Sequence, residues 1–450
     1  MIPEEFKKRM KDILGEDYDA FISALSLPRT SALRLNPLKA GNTILETLSE
    51  FDPQPLLHVE GGYRYTGAHI GTTPAHHGGA IYVQDAGAMC PVEALSLKKG
   101  MRVLDVCAAP GGKSTQAAAK IGNEGLLIAN EYVSSRAKIL VENIERLGLR
   151  SAMVLNLDTK DLSRLFDAYF DAVICDAPCS GEGMFRKSDE ALTHWSLENI
   201  RVCAQRQREI LDNVAHTVKL GGELLYSTCT YAPEENEEIV RAFLHAHPDF
   251  RLKRIPEALE AVTAPGIPLP DCEHLEYTRH FYPHLSEGEG QYLALFERVE
   301  CNESPTILYK DSSLPLRKED DAVLRAFLRD TLASGAEIYP RVVGQKLVHI
   351  PHAHAVPPRS LFCAGVLLGE VRGKNFFPSH QFFSAFGEHF LRKLDLSYAD
   401  GRVERYLHGE EIEGNIENGW CVVCCEGVVL GGGKASGGRV KNHYPKGLRK

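Results

Sequence analysis

The stretch VLDVCAAPGGK (residues 103–113) decides the fold of this chain. Its first half, VLDVC, is a short apolar run of the kind that forms a buried strand, and its second half is a glycine-rich turn. A helical pattern then continues from Lys113 to about Ile121. Small residues and glycines let a backbone approach a ligand closely, although the GxGxxG spacing of dinucleotide sites is absent. The stretch therefore predicts a strand, a ligand-binding turn and a helix in succession.

Similar apolar runs recur downstream and alternate with helical patterns. Six further strand candidates lie at residues 126–131, 152–158, 171–178, 221–230, 250–255 and 291–300. Helical patterns separate several of them, at residues 136–148, 197–219 and 233–247. This alternation predicts an α/β fold with a doubly wound, Rossmann-like sheet of seven strands. Ligands of such sheets bind beyond the carboxyl ends of the strands, so reactive side chains at those ends are candidates for the functional site.

Two acids, Glu131 and Asp158, stand where the second and third predicted strands end. Glu131 comes 20 residues after Gly111, and an acid there can accept hydrogen bonds from both ribose hydroxyls of a nucleoside cofactor. Asp158 could reach the adenine amino group. Either acid alone would be a simple polar strand end, but beside the glycine-rich turn the two predict a nucleoside cofactor. The turn would complete the site, through Cys107, Ala108, Ala109, Pro110, Gly111, Gly112 and Lys113.

Two cysteines follow the fourth and fifth strands, Cys179 in DAPCSG (176–181) and Cys229 in STCT (227–230). An enzyme that methylates an exocyclic amine would be expected to carry Asp/Asn-Pro-Pro-aromatic at the first of these places, so the cysteine favours methylation of carbon. Carbon 5 of a pyrimidine is a poor nucleophile, and addition of a thiolate to carbon 6 activates it. Asp176 could hydrogen-bond the ring edge at N3 and the amino group and so stabilise the adduct.

These residues alone do not decide which cysteine attacks. Cysteines are often plain buried hydrophobic residues, but Cys179 and Cys229 both lie in polar turns outside the apolar strand cores. In DNA cytosine methyltransferases a cysteine of a Pro-Cys pair is the nucleophile, which leaves both cysteines open for that role. The pair predicts thiol chemistry at the sheet edge without deciding which cysteine is the nucleophile.

The sequence divides into four regions with different patterns. Residues 1–75 form a small leading α+β region, 76–300 contain the predicted sheet, 301–386 are a linker and an intermediate region, and 387–450 are a mostly β domain. The chain has a formal net charge of −9, yet residues 427–450 carry six Lys or Arg and no Asp or Glu. A local basic surface on an acidic protein predicts a specific polyanionic partner. The candidate phosphate contacts are Arg186, Lys187, Lys434, Lys441 and Lys446.

The sequence also argues against a membrane span, a signal peptide and a metal site. No run approaches 18 consecutive apolar residues, and the charged N-terminus lacks the apolar core of a signal peptide, so we expect a cytoplasmic protein without a membrane span. Cys421, Cys424 and Cys425 belong to the apolar run WCVVCC, which is typical of a buried strand. Because these cysteines and the pair His76–His77 lack partners at metal-ligand spacing, we expect no metal site.

Five segments closely resemble the Sun/Fmu-type RNA cytosine-5 methyltransferases. They are YVQDAGAM (82–89), VLDVCAAPGGKSTQ (103–116), ANE (129–131), DAPCSGEGMFRK (176–187) and YSTCTYAPEENE (226–237). Their order and spacing match the family, and RLNPLK (34–39) fits its leading region. The tail GGGKASGGRVKNHYPKGLRK (431–450) is similar to the PUA-like module of the RsmF branch, which acts on 16S ribosomal RNA.

The resemblance implies an enzyme that uses S-adenosylmethionine and an RNA partner, most simply 16S rRNA or the small ribosomal subunit. It implies that Cys229 attacks carbon 6, that Cys179 assists product release, and that the glycine-rich turn, Glu131, Asp158 and Asp176 contact the cofactor. A transfer RNA substrate is the first alternative. A non-catalytic ribosome-assembly factor on the same fold is the second, and it predicts loss of Cys229, Asp176 or the turn, all of which are present.

Overall fold

The computed structural model describes residues 2–41, 43–301, 304–351, 354–358 and 360–449. All seven predicted strands occur in one central sheet. They are β1 (Arg102–Asp105), β2 (Leu126–Asn130), β3 (Ala152–Leu155), β4 (Phe170–Asp176), β5 (Val218–Thr228), β6 (Phe250–Lys253) and β7 (Gln291–Arg298). Their order across the sheet is β3-β2-β1-β4-β5-β7, with β6 paired to the outer edge of β7.

The first five strands of the sheet are parallel, as expected for a doubly wound fold. The last strand, β7, runs antiparallel to β5, so the sheet is mixed rather than wholly parallel. Three short strands bring the sheet to ten, Ala264–Pro265, Arg279–Phe281 and Leu361–Ala364. The arrangement confirms the predicted fold class and corrects the direction of its last strand.

Alternate residues of the strands face two helical layers. Val103 and Leu127 join a buried cluster with the helices Gly112–Ile121 and Ser134–Arg146, whereas Leu104 and Ile128 join one with the helices Leu197–Ala215 and Glu237–Ala246. Side chains of a strand alternate between faces with a period of two, so both faces of these strands must be apolar. The carboxyl ends of the strands remain uncovered by the layers.

The leading region combines two helices with a small sheet. The helices are Glu4–Leu14 and Tyr18–Leu25, and the sheet has the strand order Gln54–Pro55, Gly62–Tyr65, Ser31–Leu35, Ile81–Val83. The strand Ile81–Val83, which follows the boundary predicted at residue 75, pairs with Ser31–Leu35 in this sheet. Further short helices lie in the leading region and in the domain of the central sheet. They are Ile44–Thr47, Pro74–His77, Ala86–Glu93, Thr159–Leu162, Asp189–His194 and Glu257–Glu260.

The intermediate region has more structure than a linker. Its helices are Lys318–Thr331 and His380–Phe386, and its sheet has the order Leu314–Pro315, Pro340–Val343, Lys346–His349, Val366–Arg372, Asn375–Pro378. Near the start of residues 301–386, the short strand Thr306–Ile307 pairs with Phe166–Asp167. Leu361–Ala364 pairs with β3, so the intermediate region contributes a strand to the central sheet.

The C-terminal domain is mostly β, as predicted. Its strands are Lys393–Leu396, Ile412–Glu413, Gly419–Cys425, Val428–Ser436 and Arg439–Asn442, and its helix is Gly401–Leu407. Cys421, Cys424 and Cys425 are buried in a strand. Among the described residues, no group of three or more His, Cys, Asp or Glu side chains could hold a metal ion. None of the described helices combines the length and the apolarity that crossing a membrane requires.

Lys39 joins three parts of the protein. Its Nζ donates hydrogen bonds to the carbonyl oxygens of Gly78 and Arg146, both over 2.9 Å, and to Ser384 Oγ over 2.6 Å. Gly78 belongs to the leading region, Arg146 ends a helix of the central layer, and Ser384 lies in the intermediate region. One side chain therefore bonds three segments that are far apart in the sequence.

We expect Lys39→Met to lower the melting temperature by several degrees, because it removes three donated hydrogen bonds, among them the one to the carbonyl oxygen of Gly78, at a cost of about 2 kcal/mol. Differential scanning fluorimetry measures the shift. Lys99→Met is the matched control, since Lys99 is exposed, and it should leave the melting temperature nearly unchanged. Equal melting temperatures for the two variants would contradict this role of Lys39.

Candidate active site

Three neighbouring strands end at one place on the sheet edge. The parallel strands β1, β4 and β5 lie side by side, with Asp105 opposite Ile174 and Asp176 opposite Ser227. The glycine-rich turn after β1, the loop after β4 and the loop after β5 therefore meet. Sequence reasoning predicted this edge as the site, and the structure brings the three segments together there.

The two cysteine thiols are in contact. Cys179 Sγ lies 3.2 Å from Cys229 Sγ, and the backbone N–H of Cys229 donates to Cys179 Sγ over 3.3 Å. The hydrogen bond with Cys229 and burial raise the pKa of Cys179 well above its usual range. Either sulfur can donate in this contact, and the raised pKa favours the protonated form of Cys179.

Asp176 bonds both to the end of the glycine-rich turn and to the end of β5. Lys113 Nζ donates to Asp176 Oδ2 over 2.7 Å, and Ser227 Oγ donates to Oδ1 over 2.7 Å. Burial, the largest single influence, lowers the pKa of Lys113, but the charge and the hydrogen bond of Asp176 together with the nearby Cys229 and Asp105 outweigh it, so the pKa is raised. Gln291 Nε2 is 3.5 Å from the same Oδ1. Gln291 was not predicted, since nothing in the sequence marks the first residue of an antiparallel strand as part of this edge.

The glycine-rich turn is held in shape by its neighbours. Gly111 has φ +113°, a conformation that favours glycine. Arg136 and Asn143, from the helix Ser134–Arg146, donate to the carbonyl oxygens of Ala109 and Pro110 over 2.7 and 2.9 Å. These bonds fix the shape of the turn.

Gly112 also marks a close approach, on the side of the leading region. A Cβ at Gly112 would meet the Gln84 side chain at 3.0 Å. Arg34, from the leading sheet, is buried and donates to the carbonyl oxygen of Gly112 over 3.0 Å. The leading region thus supports the turn directly.

Glu131 and Asp158 occupy different environments. Glu131 is 3% exposed, and its Oε1 accepts a hydrogen bond from the backbone N–H of Val133 over 2.8 Å. The Asp158 side chain is 40% exposed and caps the helix Thr159–Leu162 by accepting from the N–H of Lys160 over 3.1 Å. Glu131 is thus fixed beside the turn, whereas Asp158 has a structural task at the rim, and its contact with adenine stays a prediction.

Asp105, in β1, is a buried acid that sequence reasoning missed. Its Oδ2 accepts a hydrogen bond from Ser114 Oγ over 2.5 Å. Burial raises the pKa of Asp105 to about 7, although the hydrogen bond from Ser114 opposes this change. The signal was available, because an acid in the middle of the apolar run VLDVC needs a partner or a function. Asp105 supports the helix that begins at the turn.

Arg186 and Lys187, predicted to contact RNA, are engaged inside the protein. Arg186 Nε donates to Glu289 Oε2 over 2.8 Å, and Lys187 Nζ donates to Asp85 Oδ2 over 2.9 Å. Asp85 also caps the helix Ala86–Glu93. Both cations therefore fix loops around the site in this structure, and any contact with phosphate would compete with these ion pairs.

The C-terminal lysines lie on the protein surface. Lys434, Lys441 and Lys446 are exposed, and Lys434 faces Lys441 across two adjacent strands. Lys434 Nζ lies 5.5 Å above the Trp420 ring. Two cations and an aromatic ring on one face form a surface that suits a nucleic acid.

The residues of the edge fit a nucleoside cofactor. The turn from Cys107 to Lys113 leads directly into the helix Gly112–Ile121, and Glu131 offers a buried carboxylate one strand away. Neighbouring strands of a parallel sheet are about 4.8 Å apart, which is the scale of a ribose ring. The arrangement can hold a ribose at Glu131 with the rest of the cofactor along the turn towards Asp176.

Three family models match the chain in succession. The N-terminal domain of 16S rRNA methyltransferase RsmF matches residues 2–86, 16S rRNA methyltransferase RsmB/F matches residues 92–297, and the methyltransferase RsmF PUA domain matches residues 393–450. The C-terminal domain is thereby identified as a PUA domain, as the tail predicted.

Similar proteins are found along the whole chain. The ribosomal RNA small subunit methyltransferase F of Klebsiella pneumoniae (strain 342) is 32% identical over 473 residues, which cover 99% of this chain and 96% of the relative. The protein of that name from Vibrio vulnificus (strain YJ016) is 28% identical, with 99% and 97% covered. A solved methyltransferase homolog protein from Pyrococcus horikoshii has a TM-score of 0.57 and 27% identity, with 66% and 95% covered.

These similarities extend from the leading helices to the basic tail and include both cysteine loops and the glycine-rich turn. They agree with the resemblance seen in the motifs. The chain belongs to the ribosomal RNA small subunit methyltransferase F family, a group of S-adenosylmethionine-dependent RNA methyltransferases.

Proposed function

We propose that this protein methylates carbon 5 of cytosine in RNA, with 16S ribosomal RNA as its substrate. The observation that carries the proposal is the contact of 3.2 Å between the Cys179 and Cys229 thiols, beside Asp176, at the edge of the sheet. Methylation of an amine or a hydroxyl group needs no thiol. Two thiols in contact fit a reaction that forms and then breaks a bond to sulfur.

Cys229 is the nucleophile in this mechanism. Once its proton has passed to solvent, its thiolate adds to carbon 6 of cytosine, and the electron pair of the carbon 5–carbon 6 double bond moves onto the ring and makes carbon 5 nucleophilic. The raised pKa of Cys179 supports this assignment, because the thiol that keeps its proton can donate a hydrogen bond to the thiol that loses it. We propose that Asp176, fixed by Lys113 and Ser227, accepts a hydrogen bond from the amino group of the ring and shares with N3 the proton that N3 takes up from solvent as the adduct forms.

S-Adenosylmethionine supplies the electrophilic methyl group that carbon 5 takes. The chain's own residues bind and orient this cofactor: the backbone from Cys107 to Lys113 along its length, Glu131 at the ribose hydroxyls, Asp158 at the adenine amino group, and Asp176 near the reacting end. The buried carboxylate of Glu131 and the fixed shape of the turn support these roles.

Product release needs two further changes. The proton on carbon 5 passes to a water molecule acting as base, the electron pair of the carbon–hydrogen bond restores the double bond, and the Cys229–carbon 6 bond breaks with its electron pair remaining on sulfur. A hydrogen bond from the Cys179 thiol, 3.2 Å away, stabilises the departing Cys229 thiolate. Cys179 therefore assists release without bonding to the base.

The RNA must present an unstacked cytosine, because a thiol cannot reach carbon 6 inside a duplex. Lys434, Lys441 and Lys446 on the PUA domain are proposed to bind the phosphates of that RNA, and Arg186 and Lys187 to contribute near the site. The names of the full-length relatives support a small-subunit ribosomal RNA substrate.

We expect incubation with labelled S-adenosylmethionine and small ribosomal subunits to yield 5-methylcytidine in 16S rRNA. Nucleoside analysis by mass spectrometry measures the product, with transfer RNA as the parallel substrate. 5-Methylcytidine in transfer RNA alone would keep the chemistry and overturn the substrate. Absence of methyl transfer to both RNAs would overturn the proposed function and favour an assembly factor.

The two cysteines should give opposite phenotypes. Cys229→Ala should abolish methyl transfer and covalent adducts, because no nucleophile remains, whereas Cys179→Ala should accumulate protein bound covalently to RNA, because release fails. Denaturing gels with labelled RNA measure the adducts. Cys272→Ala is the control, since Cys272 lies outside the site. Exchanged phenotypes for Cys179 and Cys229 would make Cys179 the nucleophile.

We expect Glu131→Gln to weaken S-adenosylmethionine binding by about 10- to 100-fold, which corresponds to about 1.4 to 2.7 kcal/mol. The variant keeps the shape of the side chain and removes the charge that accepts the ribose hydrogen bonds. Isothermal titration calorimetry measures the affinity. Glu124→Gln, at an exposed position before β2, is the control. Wild-type affinity of Glu131→Gln would remove Glu131 from the cofactor site.

A further inference from the structure

We propose that Glu182 and Glu235 are positioning residues that hold the two cysteine loops against each other. The inference rests on the proposed function and goes beyond it, since neither residue touches the reacting atoms. Glu182 and Glu235 are 1% and 0% exposed, and each follows one of the two cysteines closely in the sequence. Buried carboxyl groups are costly unless they are bonded, so their partners indicate their task.

Glu182 belongs to the loop of Cys179 and bonds to the loop of Cys229. Its Oε2 accepts hydrogen bonds from Thr230 Oγ1 and from the backbone N–H of Tyr231, both over 3.0 Å. Its Oε1 accepts from Trp195 Nε1 over 2.9 Å. The residue after Cys229 and the one that follows it are thus both fixed by an acid of the other loop.

Glu235 bonds in the opposite direction, from the loop of Cys229 to the loop of Cys179. It belongs to the loop of Cys229, and its Oε2 accepts a hydrogen bond from the backbone N–H of Ser180 over 3.0 Å. Gln207 Nε2 donates to the same oxygen over 2.8 Å. The residue directly after Cys179 is thus fixed by an acid of the other loop. We call the reciprocal pair, Glu182 and Glu235 with these partners, the carboxyl clasp.

The clasp begins where the sheet stops. The last residues of β4 and β5 that face each other in the parallel ladder are Asp176 and Ser227. Beyond them the two loops have few main-chain bonds in common, one of which joins the N–H of Gly183 to the carbonyl oxygen of Cys229 over 2.8 Å. Side chains therefore contribute to the distance between the two thiols, and besides the clasp the hydroxyl oxygens of Ser180 and Thr230 lie 2.9 Å apart between the same loops.

The leading helices shield the clasp from water. Phe6 lies 5.0 Å from Phe185, between ring centroids, and Phe21 lies 5.2 Å from Tyr231. Arg9 Nη2 donates to Glu234 Oε2 over 2.6 Å, beside Glu235. Hydrogen bonds strengthen where water is excluded, so this packing makes the clasp more rigid. Burial raises the pKa of Glu182, and it raises the pKa of Glu235 to about 7.

The clasp should matter because bond formation at sulfur depends on alignment. A displacement of about 1 Å at a reacting group can cost about 100-fold in rate. Loosening the loop of Cys229 should slow attack on carbon 6, and loosening the loop of Cys179 should slow release. Glu182 bonds the loop of Cys229, so its loss should slow the attack on carbon 6. Glu235 bonds the loop of Cys179, so its loss should slow release of the product.

The test compares Glu182→Met and Glu235→Met with the conservative variants Glu182→Gln and Glu235→Gln. Methionine has a similar size and accepts no strong hydrogen bond, whereas glutamine retains one acceptor oxygen. In single-turnover assays, Glu182→Met should slow adduct formation about 100-fold and Glu235→Met should accumulate adduct. The glutamine variants should recover most of the wild-type rate. Affinity for S-adenosylmethionine should stay within about twofold in all four, because the cofactor segments are not bonded to the clasp.

A second measurement is independent of catalysis. Phenylarsine oxide, a trivalent arsenical, bonds to two neighbouring thiols with loss of water, and peptide mapping shows which cysteines it bridges. It should bridge Cys179 and Cys229 in the wild-type protein, and the methionine variants should need about tenfold more reagent. The glutamine variants should react like the wild type.

The outcomes separate the two proposals. Methionine variants that keep wild-type adduct kinetics and wild-type bridging would overturn the clasp. Methionine variants that lose bridging, in a protein that makes no 5-methylcytidine, would support the clasp and overturn the proposed function. Variants that lose cofactor affinity together with bridging would show general unfolding and would overturn a specific positioning role.

Discussion

The hydrogen-bonded ladder that joins β1, β4 and β5 is the constraint on which the rest of the site depends. Because the three strands are parallel, their carboxyl ends lie at one edge, and residues far apart in the sequence become neighbours. Asp105, Asp176 and Ser227 take their places from this register alone. The thiols, the glycine-rich turn and the ion pair of Lys113 are then arranged around fixed points.

The leading region is part of this arrangement and not an independent attachment. Arg34 bonds the backbone of the glycine-rich turn, and Phe6 and Phe21 pack on the cysteine loops. Support therefore reaches the edge from two directions, from the sheet below and from the leading helices and strands above. A site that must both form and break a bond to sulfur benefits from such rigidity, since both steps require the same thiol spacing.

The sheet, the site at the carboxyl ends of its strands and the cysteine pair could be predicted from the sequence, because local periodicity and strand-end motifs are short-range signals. It was insufficient where partners come from distant segments. Arg186 bonds to Glu289 and Gln291 reaches Asp176, and neither contact has a sequence spacing that reveals it. The strand Leu361–Ala364 was missed for the same reason, since its partner β3 lies two hundred residues earlier, at 152–155.

That strand has a consequence for how the protein can be divided. A sheet edge with unpaired backbone groups is a template for pairing with other chains. Leu361–Ala364 covers the free edge of β3, so the intermediate region acts as a built-in cover for the catalytic sheet. A catalytic domain cut out at residue 300 would carry an uncovered edge strand and a tendency to self-associate, although every residue of its active site would be present.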